Sequence, residues 1–207
     1  ISIDGNEINS LSRAEMRPWR NKIQMVFQDP FASLNPRVRV GDIIAQGPVT
    51  QGIERDKAIK RARELISIVG LDARAFDRFP HEFSGGQRQR IGIARSLALK
   101  PEILVADEPV SALDVSIQAQ ILELLDEIRD QMNLSMLFIT HDLRVAAQVC
   151  DRLAVMRYGE IVETGATAQL FADPQHSYTR DLLAAVPGKE WKAGSKSKSF
   201  KSKKKST

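Results

Sequence analysis

Apolar and polar positions along the 207-residue chain follow two different periods. Over Ile1-Ser2-Ile3-Asp4-Gly5-Asn6-Glu7-Ile8 they alternate around an Asp-Gly pair, the pattern of a short hairpin. Ile23-Gln24-Met25-Val26-Phe27-Gln28 reads as a buried strand ending on a polar residue, and Asp29-Pro30 and Asn35-Pro36 then interrupt regular structure. From residue 40 to 99 the period becomes helical. Ile59, Ala62, Leu65, Ile66 and Val69 recur at three- and four-residue steps, Lys57, Lys60, Arg61, Arg63 and Glu64 take the other side, and Gly70 closes that helix. Further strands are predicted over 103–106, 136–139 and 153–156, and Ile117, Ile121, Leu124, Leu125 and Ile128 mark an amphipathic helix between the first two. Strand, helix, strand in this order predicts an α/β fold with a parallel sheet joined by crossovers. Gln28 falls at the C-terminal end of a strand, where open sheets of this kind place ligands. No internal repeat is visible.

An apolar share of 43% suffices for one good core. No apolar run reaches the eighteen residues of a membrane span, and the first residues lack the charged-then-apolar layout of a signal peptide, so the chain is expected on the cytoplasmic side. Cys150 is the one cysteine and sits in an apolar-flanked stretch, which predicts a packed, reduced thiol. The net charge of +4 is uneven: residues 189–207 carry eight Lys and one Glu, leaving −3 for residues 1–188. Lys196, Lys198, Lys201, Lys203, Lys204 and Lys205 alternate mostly with Ser, a composition read as a disordered tail. A solvated extension is its plain reading; weak contact with acidic lipid headgroups or nucleic acid is the alternative.

Two stretches carry candidate chemistry. In Phe83-Ser84-Gly85-Gly86-Gln87-Arg88-Gln89-Arg90, two glycines open a helix whose free N–H groups can meet a phosphate. In Ile103-Leu104-Val105-Ala106-Asp107-Glu108-Pro109, an apolar strand delivers two adjacent carboxylates to one edge of a sheet. Each has a plain reading: Ser84 as an ordinary helix N-cap, Asp-Glu-Pro as an exposed turn, and the His of Thr140-His141-Asp142 as a structural residue. The combination decides against them. With Ser111-Ala112-Leu113-Asp114 and Thr140-His141-Asp142 in the same order, the chain up to about Pro187 resembles an ABC-type ATPase.

That resemblance implies a partial P-loop NTPase core with a parallel sheet plus an inserted α-helical subdomain, and it implies ATP and Mg²⁺. The segments it suggests are 1–31, the remnant of the core up to the glutamine loop; 32–99, the helical subdomain with the signature; 100–165, core again; 166–188, a C-terminal extension; and 189–207, the tail. By family role Asp107 holds Mg²⁺ through water, Glu108 polarises the attacking water, Gln28 reaches toward the metal and toward a membrane partner, and His141 senses the γ-phosphate. Ser84, Gly85, Gly86 and Gln87 contact a nucleotide held by the opposite subunit, and Asp114 lies where the two halves communicate. The implied partners are a second ATPase domain, membrane-spanning permease subunits and, indirectly, an extracytoplasmic solute-binding protein, at the cytoplasmic face of the membrane. No specific nucleic acid is expected.

Segments 27–37, 107–120 and 173–179 look like those of oligopeptide and dipeptide importer ATPases, although Ser177 stands where proline is usual. Val110, where many ABC ATPases have Thr, fits one of the two ATPase subunits such importers use. No G-x-x-x-x-G-K-[ST] occurs, so the chain is expected to be a piece of a longer protein and inactive by itself. The competing reading is a non-catalytic remnant or regulatory dimerisation module. An ABC ATPase of DNA repair or translation would bring Cys clusters, long heptads or a charged linker, none of which the sequence has.

Overall fold

The Asp-Gly pair forms the turn that the alternation predicts. Asp4 and Gly5 take φ of 51° and 76°, the left-handed pair of a tight hairpin turn, and join β1 (Ser2–Ile3) to β2 (Asn6–Glu7). The computed structural model describes residues 1–186, with the backbone alone of Pro30 and Phe31; the lysine-rich stretch 189–207 lies outside the described residues. Two units separate by their internal contacts, Ile1–Ile139 and the residues from Thr140 onward.

In the first unit, α1 (Met16–Lys22) runs into β3 (Ile23–Val26), which lies parallel to β4 (Ile103–Asp107) and through it to β5 (Ser135–Ile139). The register sets Ile23 opposite Ile103 and Asp107 opposite Ile139. The crossover from β3 to β4 carries α2 (Pro30–Ser33), α3 (Val40–Thr50), α4 (Arg55–Ile68), two 3₁₀ turns (Ala73–Asp77 and Pro80–Glu82) and α5 (Gly85–Leu97); that from β4 to β5 carries α6 (Val115–Met132). The parallel sheet and the helical insertion stand as the sequence predicts.

The helices form where the apolar period demands. Ala58, Ala62, Leu65, Ile66 and Val69 make one buried stripe on α4, closed at Gly70 (φ 70°) by Leu71 N–H donating to Ile66 O and Gly70 N–H to Ser67 O, each at 3.0 Å. The centre is α5, whose Ile91, Ile93, Ala94 and Leu97 are fully buried and which packs on β3, α3 and α4. Of these, each isoleucine or leucine side chain contributes about 1.5–3 kcal/mol when taken from water. At α3, Gly41 is buried with no space for a side chain: a Cβ there would stand 2.5 Å from Cδ2 and Cζ of Phe76. Overpacking of this kind costs about 1–3 kcal/mol, so Gly41→Ala is expected to lower the thermal midpoint by about 5 °C. Circular dichroism melting checks this, and an unchanged midpoint would remove Phe76 from that contact.

Two strand expectations change. The strand read as 23–28 ends at Val26; Phe27 and Gln28 lie beyond it, and Val26 alone in β3 is fully buried. Leu104 and Ala106 are completely buried, whereas Leu137 and Ile139 of β5 are 57% and 44% exposed. The strand read over 153–156 belongs to no parallel sheet. It is β6 (Arg152–Arg157), paired antiparallel with β7 (Glu160–Ala166) through a turn at Tyr158 and Gly159, φ 50° and 83°. A Tyr-Gly pair permits the same left-handed turn as Asp-Gly, but the acidic and small residues of β7 conceal its strand.

The second unit continues with α7 (Leu143–Val149) before β6, then α8 (Thr167–Ala172) and α9 (Ser177–Ala184) after β7. Cys150 is half-buried; burial, and then the neighbouring Asp151 carboxylate, push its thiol up, so it is not a reactive thiolate. Residues 173–179 form a structural joint. The Glu163 carboxylate accepts from the amides of Gln175 (2.8 Å) and His176 (3.1 Å), and His176 Nδ1 caps α9 by accepting from Tyr178 N–H at 3.1 Å.

Candidate functional site

Asp107 is the last residue of β4, and the chain leaves the sheet there through a left-handed residue, Glu108, at φ 43°. On a continuing strand the two carboxylates would face opposite sides; the positive φ breaks that alternation. Such a conformation costs a side-chain-bearing residue on the order of 1–3 kcal/mol and persists only when its surroundings fix it. Here Glu108 N–H donates to Ile139 O at 2.9 Å, and Glu108 O accepts from Ser111 N–H (3.2 Å) and Ser111 Oγ (3.1 Å). The outcome is a meeting of residues 80 positions apart: Gln28 Nε2 donates to Glu108 Oε2 at 3.0 Å. The ends of β3 and β4 therefore share one polar edge.

Ser84 is the N-cap of α5 and forms a full capping box. Its hydroxyl accepts from Gln87 N–H at 3.4 Å, and its own N–H donates to Gln87 Oε1 at 3.1 Å. Among the described residues no acceptor meets the N–H groups of Gly85 and Gly86, the two donors that the first helical turn leaves open. The two glycines are not equivalent. A Cβ on Gly85 would lie 3.5 Å from Leu113 Cδ2, an ordinary contact, but one on Gly86 would lie 2.5 Å from Ile117 Cγ2. The reading of both as residues that open a phosphate-binding turn is incomplete, since Gly86 is also what lets α5 approach α6. Asp114 caps α6, its Oδ1 accepting from Ile117 N–H at 3.0 Å.

Several ties carry no signal in the linear pattern. Half-buried Arg95 of α5 donates to Ser33 O and lies 5.8 Å over the Phe27 ring, fastening the segment after Gln28 to α5; burial lowers the pKa of its guanidinium. Arg88 holds the turn before α5 through Pro80 O at 2.8 Å, and Arg90 reaches Val69 O at 2.7 Å and Gln120 Oε1 at 3.5 Å. A cavity of about 280 Å³ beside Gln87 is lined by Arg74 and Arg78, but these pair with Asp72 and Glu82, so it offers no spare cation to a phosphate.

His141 is exposed and lies two residues beyond β5 in the chain, within the second unit. Its neighbours are fixed locally. Asp142 N–H donates to Thr140 Oγ1 at 3.0 Å, and the Asp142 carboxylate caps α7 and receives the Arg144 guanidinium at 2.9 and 3.2 Å, which holds it below the usual carboxylate range. So the structure joins Gln28 with Glu108 and packs the Ser84–Gln87 turn against residues 113–117, while His141 rests on its place in the sequence.

The ABC transporter family matches residues 1–111. The dipeptide transport ATP-binding protein DppF of Lactococcus lactis subsp. cremoris is 50% identical over 189 residues, which are 90% of this chain and 61% of that protein. The oligopeptide transport ATP-binding protein OppF of Bacillus subtilis is 49% identical over 178 residues, 85% of this chain and 58% of that one. The chain thus spans about six-tenths of the length of the curated relatives it matches. Among solved structures, cbiO1 of Clostridium perfringens, described as part of an ABC transporter complex, superimposes with a TM-score of 0.75 at 28% identity over 90% of this chain and 72% of its own. The ATP-binding cassette MJ0796, solved as a dimer in a post-hydrolysis state with ADP and phosphate, gives 0.69 at 30% identity over 80% and 72%. With its strand-end carboxylates, its capped glycine turn and these matches, the chain belongs to the ABC transporter family.

Proposed function

We propose that this chain is the larger part of the ATP-hydrolysing subunit that drives import of peptides through a membrane permease. The observation that carries the reading is the Gln28–Glu108 hydrogen bond, because it brings a neutral amide and a carboxylate to one sheet edge after an 80-residue excursion through the helical insertion. The likeness to dipeptide and oligopeptide transport proteins supports the substrate class.

In this reading Glu108 accepts a proton from the attacking water, and Gln28, bound to it, orients that water. The Ser84–Gln87 turn contacts a nucleotide on the opposite subunit, with Gly85 and Gly86 presenting its open amides and Ser84 and Gln87 holding its shape through the capping box; Asp114 stands at the junction of the two subunits, and His141 contacts the γ-phosphate. Mg²⁺ fits the donors present: the Asp107 carboxylate and the Gln28 amide oxygen are hard oxygen ligands, and the amide nitrogen of Gln28 is already engaged by Glu108. No group of three or more His, Cys, Asp or Glu stands ready for a metal among the described residues, so phosphate oxygens and water would complete its shell. When bound, the ion neutralises charge on the phosphates. Catalysis also requires a phosphate loop, which these 207 residues do not contain.

Among the described residues no helix is long and apolar enough to cross a membrane. The proposed setting is peripheral, at the cytoplasmic membrane face, with a second ATPase domain, permease subunits and, through them, a solute-binding protein. Gln28 lies at the nucleotide edge just before the segment that Arg95 fastens to α5. Gln28→Ala in the reconstituted transporter is therefore expected to bind ATP with near-normal affinity and to lose most of the stimulation of ATPase rate by peptide. Undiminished stimulation would take Gln28 out of coupling. Stimulation by a non-peptide solute alone would refute the substrate class and leave the ATPase reading standing.

A further inference from the structure

We propose that Ile117 is a positioning residue, whose γ-methyl seats in the gap left by Gly86 and fixes the signature turn Ser84–Gln87 against the turn that carries Glu108; the proposal rests on the ATPase reading above. The two turns meet at helix N-termini. Gly86 stands in the first turn of α5, Ile117 in the first turn of α6, and a Cβ on Gly86 would fall 2.5 Å from Ile117 Cγ2 but 3.8 Å from Ile117 Cβ. The methyl branch, and not the helix backbone, occupies the space.

Ile117 cannot swing that methyl away. A β-branched side chain in a helix is confined largely to one χ1 rotamer, and its backbone is pinned, since Ile117 N–H is the group that Asp114 Oδ1 caps at 3.0 Å. The same turn runs back to the carboxylate: Gln118 N–H donates to Asp114 O at 2.8 Å, Leu113 N–H to Val110 O at 3.1 Å, and Ser111 to Glu108 O. A contiguous path of hydrogen bonds and one tight apolar contact thus leads from Gln28 and Glu108 to the open amides of Gly85 and Gly86. Adding a methyl at position 86 must part the two turns by about 1 Å to restore ordinary contact, and a displacement of that size costs about 10²-fold in rate.

The test uses the full ATPase subunit with its phosphate loop, in four versions besides wild type: Gly86→Ala, Ile117→Ala, the double Gly86→Ala/Ile117→Ala, and Gly86→Ala/Ile117→Val. Gly86→Ala is expected to lower kcat about 10²-fold, with MgATP affinity of the isolated subunit unchanged and faster hydrogen exchange at the hydrogen-bonded amides of Ser84, Gln87 and Arg88. Ile117→Ala removes the offending methyl, so the first double variant should recover kcat to the level of Ile117→Ala and restore slow exchange. Valine keeps both γ carbons, so the second double variant should recover neither. Normal kcat and exchange in Gly86→Ala, or equal rescue by alanine and valine, would overturn the proposal. If Glu108→Gln, run alongside, left hydrolysis intact, the ATPase reading would fail, while the exchange data would still decide the packing claim.

Discussion

Glu108→Gln, placed in the subunit together with its phosphate loop, should lower ATP hydrolysis about 10²–10⁴-fold, the usual contribution of a positioned general base. The change removes a basic oxygen and almost nothing else. Glutamine has the same shape, tolerates the φ of 43° no worse than glutamate, and its amide oxygen can still accept from Gln28 Nε2. The bonds that hold the backbone, to Ile139 O and from Ser111, do not involve the side chain at all. Nucleotide affinity and thermal midpoint are therefore expected to stay near wild type, which is the signature of an interaction made in the transition state alone. Steady-state turnover, MgATP titration and a melting curve on one preparation provide the measurement. Turnover within severalfold of wild type would mean that another group activates the water, and a large fall in affinity would mean that Glu108 serves the ground state. A subunit with its phosphate loop that never hydrolyses ATP would point instead to a non-catalytic regulatory module.

How far the site was legible in the sequence depends on which force places each residue. Strand ends follow from apolar runs, so Asp107 and Glu108 could be placed at a sheet edge, and Ser84 could be placed as a cap because Ser with Gln three residues later is a local signal. The left-handed φ of Glu108 has no such signal. It is imposed by Ile139 O from another strand, and nothing in Asp-Glu-Pro announces it. The same holds for the difference between Gly85 and Gly86, which exists only because α6 delivers Ile117 to one of them. Arg95, Arg88 and Arg90 look alike as surface cations in a linear reading, yet each spends its guanidinium on a backbone carbonyl from another segment. Tertiary partners also account for the missed β7, whose Glu163 serves as an anchor for residues 175 and 176. The joint that residues 173–179 form is in this sense a packing feature first, whatever its likeness to peptide importers.

Ser84→Arg should reduce turnover of the same subunit about 10²-fold or more, as expected when donors aimed at a phosphate are lost. Two effects are mixed in that substitution, and Ser84→Ala separates them. Alanine deletes the hydroxyl that accepts from Gln87 N–H at 3.4 Å, which costs about 1 kcal/mol of helix stability and a fall of about 2–4 °C in midpoint, but it leaves the mouth of α5 open. Arginine loses the same cap and adds a long cation directly before the Gly85 and Gly86 amides. The melting temperatures of the two variants should then be similar, while their turnover differs by at least an order of magnitude. In a purified dimer, Ser84→Arg should also fail to retain nucleotide between its subunits when combined with Glu108→Gln, although each subunit binds MgATP normally. If arginine and alanine behaved alike in turnover, the amides of this turn would meet no nucleotide, and the role of residues 84–87 would reduce to the capping box and the contact with Ile117.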